Sequence, residues 1–167
     1  MQINNHIILT GYMGAGKSTI GNLLAERKGR TFVDLDLYIE TEEKKPIPEI
    51  FADFGEPYFR ESEAARLKEI TGNKVIATGG GIFYFKDTVD WMKKNGTVVY
   101  LHAPFEELYS RISEDLNRPV VMNNSKKALE KIYNQRHIAY QSSADIVVSV
   151  SSCTVDETIE NILRQLK

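Results

Sequence analysis

Cysteine occurs once, at Cys153. A single thiol excludes an intramolecular disulfide and any Cys-rich metal site. The three histidines, His6, His102 and His137, have no metal-ligand spacing and read as structural or surface residues. Apolar runs such as Ile7-Ile8-Leu9 are far shorter than the roughly 20 residues a bilayer crossing needs. The N-terminus has no basic start followed by a long apolar stretch, so no signal peptide is expected. An excess of one charge is missing too: 21 Lys+Arg stand against 23 Asp+Glu, a net charge of −2. A dedicated nucleic-acid binder would carry a large basic surplus, so neither nucleic acid nor membrane is expected as a partner. What is present, 167 residues with 42% hydrophobic and 26% charged, suits one hydrophobic core and argues against general disorder. The expectation is a cytoplasmic protein folded as a single domain over residues 1–167, without repeats or linkers.

Five short β-rich runs stand out: Ile7–Thr10, Thr31–Asp34, Lys74–Thr78, Thr97–Leu101 and Asp145–Val150. Each is nearly continuously apolar, the pattern of strands buried on both faces of a parallel sheet. Helix-period segments separate them. Ile20, Leu23 and Leu24 form one apolar face. Leu129, Ile132, Tyr133, Ala139 and Tyr140 form another, on a helix predicted from about Ser125 to Gln141. Val155, Ile159, Ile162, Leu163 and Leu166 form a third. The alternation predicts an α/β fold with right-handed crossovers and helices on both faces of the sheet. The polar stretch from Glu114 to Ser125 reads as an exposed loop.

Directly after the first run comes Gly11-Tyr12-Met13-Gly14-Ala15-Gly16-Lys17-Ser18, which fits G-x-x-x-x-G-K-[ST]. In that pattern backbone N–H groups cradle phosphate oxygens at a helix N-terminus. Lys17 then supplies a cation for the β/γ-phosphates and Ser18 a hydroxyl for Mg²⁺. A GTPase would also carry Asn/Thr-Lys-x-Asp, and Asn73-Lys74-Val75-Ile76 lacks the acid.

The second run ends in Val33-Asp34-Leu35-Asp36, which strand periodicity would place with both carboxylates on one side. Beside a phosphate loop, two such acids divide into one that orients Mg²⁺ waters and one that holds or deprotonates a hydroxyl. Thr78-Gly79-Gly80-Gly81 follows the third run; one glycine would serve for a turn, so three suggest something packed on the backbone. Arg60 shares a helix face with Ala64 and Leu67, and Arg136 continues the Leu129–Tyr133 stripe. Either arginine could be a structural partner of an acid such as Glu61, Glu63 or Asp36, or half of a clamp for a substrate carboxylate. Arg118, before Pro119, is a candidate lid arginine that reaches ATP phosphates.

Together these residues resemble the shikimate kinase family of P-loop, nucleoside-monophosphate-kinase-like enzymes. The likeness runs from Gly11 to about Tyr140. Its motifs stand in family order: the phosphate loop at 11–18, Asp-Leu-Asp at 34–36, Phe-Arg-Glu-Ser-Glu at 59–63 and Thr-Gly-Gly-Gly at 78–81. Arg118-Pro119 is similar to the family's lid motif, and Arg136 with Tyr140 to its late Arg-x-x-x-Tyr. The resemblance implies a three-layer αβα fold with a five-stranded parallel sheet in the order 2-3-1-4-5, and a lid at about 114–125. It implies a monomer that uses ATP and Mg²⁺ to phosphorylate the 3-hydroxyl of shikimate, in the biosynthesis of chorismate and the aromatic amino acids. Gly14, Ala15, Gly16, Lys17, Ser18 and Thr19 would bind the nucleotide, with Arg118 closing onto it. Ser18 and Asp34 would serve the metal. Asp36, Arg60, Gly80, Gly81 and Arg136 would bind shikimate, and Lys17, Asp36 and Arg118 would be catalytic. After the last strand, Val148–Val155 lacks the Asp and Pro that the family often uses for adenine. Two alternatives stay beside this reading. One is a kinase of another small hydroxy acid such as gluconate, which would not be expected to keep both Arg60 in Phe-Arg-Glu and the glycine run. The other is a non-catalytic nucleotide-binding module, against which Lys17, Ser18, Asp34 and Asp36 together argue.

Overall fold

The computed structural model describes residues 3–113 and 124–166. Five strands, β1 (His6–Thr10), β2 (Phe32–Asp34), β3 (Val75–Ala77), β4 (Gly96–His102) and β5 (Ile146–Ser149), form one sheet in the order β2-β3-β1-β4-β5. Every pairing is parallel. The helices are α1 (Lys17–Lys28), α2 (Leu35–Glu43), α3 (Ile47–Glu69), α4 (Lys86–Asn95), α5 (Phe105–Ile112), α6 (Lys126–Ser143) and α7 (Val155–Gln165). A 3₁₀ turn covers Ile82–Tyr84.

Alternate strand residues feed two separate cores, as a pleated sheet buried on both faces requires. Ile7 and Leu9 of β1 and Val75 of β3 pack with α1, α5, α6 and α7 through Leu24, Phe105, Tyr133 and Ile162. Ile8, Ile76 and Val98 face α2, α3 and α4 through Ile39, Leu67 and Met92. The result is the three-layer αβα arrangement.

Local chemistry sets the helix ends. Ser125 caps α6 by accepting from the Ala128 amide, and Thr154 with Glu157 forms a capping box on α7. The predicted apolar face of α1 is shifted: Ile20, Gly21, Leu24 and Ala25 are buried, while Leu23 is exposed. Gly21 belongs to the buried face because a Cβ there would meet the Phe32 ring at 2.3 Å.

Register places the site. Asp34 pairs with Ala77, and Ala77 with Leu9, so β2, β3 and β1 end level with one another. The segments that follow them, 35–36, 78–81 and 11–16, leave the same edge. Strand β1 lies between β3 and β4, where the chain order changes sides, the usual position for a ligand on an open α/β sheet.

Candidate active site

The loop after β1 carries glycines with φ of 83° at Gly14 and 90° at Gly16, values that disfavour any side chain. Gly16 is the N-cap of α1 and has no side chain to occupy the helix N-terminus, so the first amides of α1 face the cleft. Lys17 opens α1 and folds back over the loop, its Nζ donating to Gly11 O at 2.5 Å and Tyr12 O at 3.3 Å. Ala15 differs from its neighbours: its side chain is buried and its amide donates to Tyr12 O at 3.2 Å within the loop. Arg111 of α5 braces the loop from outside by donating to Gly14 O at 2.9 Å.

Strand β2 ends at Asp34, two residues short of an extended Asp-Leu-Asp. Asp34 is the N-cap of α2, accepting from the Leu37 amide at 3.3 Å, and Asp36 lies in the first helical turn. Their separation therefore comes from a cap followed by a helix, a correction to the period-two expectation. Asp34 also accepts from the Ser18 hydroxyl at 3.0 Å. Asp36 lies beside Gly79 and Glu63. Loss of hydration, then the charge of Asp34, raises the Asp36 pKa, against the opposing pull of Lys17 and Arg60.

The glycine run has a steric explanation. None of Gly79, Gly80 and Gly81 has a positive φ. A Cβ at Gly81 would lie 2.5 Å from the Arg60 guanidinium, one at Gly80 would lie 2.6 Å from Arg136 Nη1, and one at Gly79 would lie 3.0 Å from both Asp36 Oδ1 and Glu63 Oε2. Two cations and two acids thus rest directly on three residues of bare backbone. Tyr140 completes this floor, its hydroxyl donating to Gly80 O at 2.5 Å.

Arg60 is at once a structural partner and a pocket wall. Its Nη1 donates to Glu63 Oε1 at 3.0 Å, both side chains being buried, while Arg60 Nε and Glu63 Oε2 have no hydrogen-bond partner among the described residues. Burial pushes the Glu63 carboxyl up to about 7, against the pull of Arg60. Arg136 is half-buried and lines the same cleft. That cleft has a volume of about 1140 Å³ and joins Gly14, Gly16, Lys17, Ser18 and Thr19 to Asp34, Asp36, Arg60, Gly80, Gly81 and Arg136. Arg118 lies outside the described residues, as does the lid from 114 to 123.

Sequence reasoning reached Glu63 only as one of several possible partners; its i,i+3 spacing from Arg60 was the available signal. Glu40 and the apolar wall of Ile47, Pro48 and Phe51 also line the cleft. They carry no motif, because apolar residues at helical spacing read equally well as core.

A phosphate-binding loop, an acid pair and two guanidiniums around one cleft on a 2-3-1-4-5 sheet define a P-loop phosphotransferase. A sequence model described as "Shikimate kinase" matches residues 13–167. The shikimate kinase of Persephonella marina is 38% identical over 164 residues, covering 97% of this chain and 99% of that one. The structure of shikimate kinase from Acinetobacter baumannii in complex with shikimate superposes with a TM-score of 0.90 at 34% identity, covering 98% of this chain and 93% of that chain. A gluconokinase from Sinorhizobium meliloti, at 16% identity and a TM-score of 0.58 over 99% of this chain and 93% of its own, shares the fold alone. The chain belongs to the shikimate kinase family.

Proposed function

We propose that the chain transfers the γ-phosphoryl group of ATP to the 3-hydroxyl of shikimate, giving ADP and shikimate 3-phosphate for the biosynthesis of chorismate and the aromatic amino acids. The bond from the γ-phosphorus to the β,γ-bridging oxygen breaks, a bond from the acceptor oxygen forms, and the hydroxyl proton leaves. The loop at 11–18 holds the phosphates through its amides, Ala15 shaping the loop rather than facing the ligand. Lys17 swings from Gly11 O onto the β/γ-oxygens and offsets the charge that spreads during transfer. Thr19, exposed in the first turn of α1, adds a hydroxyl at the same end.

Asp36 holds the acceptor hydroxyl and takes or orients its proton; its raised pKa suits that task. Arg60 and Arg136 grip the substrate carboxylate, and Gly80 and Gly81 offer the ring bare backbone. Arg118 closes the nucleotide side. The Ser18 hydroxyl and Asp34 carboxylate, already paired, form an oxygen-only donor set suited to Mg²⁺. Among the described residues no three His, Cys, Asp or Glu side chains cluster as a metal cage, which fits an ion held largely by nucleotide oxygens and water. Bound there, Mg²⁺ supplies charge neutralisation at the phosphates. No described helix is long and apolar enough to cross a membrane; the reading is of a cytoplasmic monomer acting on small molecules.

The observation that carries this reading is the seating of both guanidiniums on consecutive glycines opposite the phosphate loop. ADP release measured with shikimate, with gluconate and without acceptor tests it. Turnover is expected with shikimate alone. Equal turnover with gluconate would make the acceptor a general hydroxy acid, and equal ADP release without acceptor would make the chain an ATPase.

A further inference from the structure

Helix α3 begins without a cap of its own. Its N-cap is Pro46, whose side chain accepts nothing, so the Ile47 amide finds no acceptor in its own cap. The acceptor comes from the preceding helix: Glu40 Oε2 takes the Ile47 N–H at 2.8 Å. The carbonyl of the same residue accepts from the Lys44 and Lys45 amides where α2 ends. Glu40 therefore joins two helices across the tight turn at Lys44, which has a φ of 59°.

The segment it secures matters to the cleft. Between Lys44 and Gly55, where α3 breaks with φ 84° and ψ 169°, lie Ile47, Pro48 and Phe51, all in the cleft wall. Glu40 is also four residues from Asp36, on the same face of α2, and lines the cleft beside it. Like charges one turn apart destabilise an isolated helix, so this pairing calls for a compensating role.

We propose that Glu40 is a positioning residue of the transfer site: its carboxylate, as a borrowed cap, fixes the first turn of α3 and with it the apolar acceptor wall. The inference rests on the proposed reaction and adds to it a residue outside the motifs.

Two variants test the cap. Glu40→Ala removes the acceptor of the Ile47 amide; Glu40→Gln keeps an oxygen acceptor. In Glu40→Ala the Ile47 amide should exchange with solvent roughly 10- to 100-fold faster, and KM for shikimate should rise about 5- to 50-fold with KM for ATP little changed. Glu40→Gln should restore both to within a few-fold. Unchanged Ile47 exchange in Glu40→Ala, equal losses in KM for shikimate and for ATP, or no rescue by Gln would each overturn the proposal. A wild-type enzyme that releases no ADP with shikimate would overturn the reaction instead. The exchange measurement would still judge the cap.

Discussion

An added methyl at Gly81 isolates what the glycine run does. The backbone there has φ −102°, open to any residue, so alanine adds no backbone strain. Its Cβ would meet the far end of Arg60, a flexible side chain that can move aside. Moving it disturbs the buried pair with Glu63, so the thermal midpoint should fall by several degrees. The guanidinium cannot stay in place, and KM for shikimate should rise roughly 10- to 100-fold while KM for ATP holds. A loss spread equally over both substrates would show that the run serves the nucleotide. The two acids separate in the same way. Asp34 is hydrogen-bonded to Ser18 and Asp36 lies beside Gly79, so excess Mg²⁺ should partly rescue Asp34→Asn and not Asp36→Asn. In Asp36→Asn kcat should fall about 10²- to 10⁴-fold with ATP affinity nearly constant. Rescue of the wrong variant would exchange the two roles. At this scale the sequence was informative wherever chemistry demanded a residue type. It could not say that Arg60 is both paired with Glu63 and exposed to the cleft, because that needs the geometry of a helix turn against a neighbouring loop.

Helix α6 is held to the sheet by tyrosine hydroxyls. Tyr133 donates to Ala103 O at 2.8 Å, Tyr140 to Gly80 O at 2.5 Å, and Tyr12 donates to Leu129 O at 3.1 Å from the other side. This sets the height of Arg136, one turn before Tyr140. Tyr140→Phe keeps the ring and leaves the Gly80 carbonyl without that partner, a loss of about 1–3 kcal/mol in stability. Urea unfolding should show it as a shifted midpoint with unchanged slope, and KM for shikimate should rise with it. A stable variant with normal KM would mean that ring packing alone positions the helix. The parallel strands and the stripe on α6 were legible because burial on both faces and helical spacing leave direct marks in sequence. Strand ends moved by a residue, as where Lys74–Thr78 became Val75–Ala77, and past Asp34 a capping side chain and a helical turn replaced the extended Leu35-Asp36 that alternation assigned. The 23-residue α3 was visible only from Phe59 onward, since Gly55 and Pro57 interrupt its pattern. The first turn of that helix takes its cap from Glu40, seven residues upstream, a tertiary bond that no local pattern encodes.

Across the whole molecule, two buried titrating groups at opposite ends of the sheet pull stability in opposite directions with pH. His6 opens β1, far from the phosphate loop that closes it. Its Nδ1 accepts the Lys74 amide at 3.0 Å and its Nε2 faces Ile70 O at 3.1 Å, an arrangement that holds the ring neutral. Burial accordingly lowers its pKa below the ordinary 6.5. The unfolded chain then takes up the proton first, so the contribution of His6 is complete above pH 6.5 and is lost as pH falls through the folded value. Glu63 behaves in reverse. Its pKa rises from 4.5 to about 7, so its contribution is complete below 4.5 and is lost as pH rises through about 7. Trp91 stacks on His6 with ring centroids 6.0 Å apart, which makes its fluorescence a probe of unfolding at the end of the sheet away from the cleft. Urea unfolding followed at Trp91 from pH 5 to 8 should therefore give opposite trends for two variants. Relative to wild type, His6→Gln should gain stability as pH falls, and Glu63→Gln should gain it as pH rises. A difference from wild type that stays flat with pH would mean that the replaced group keeps its ordinary protonation in the folded chain.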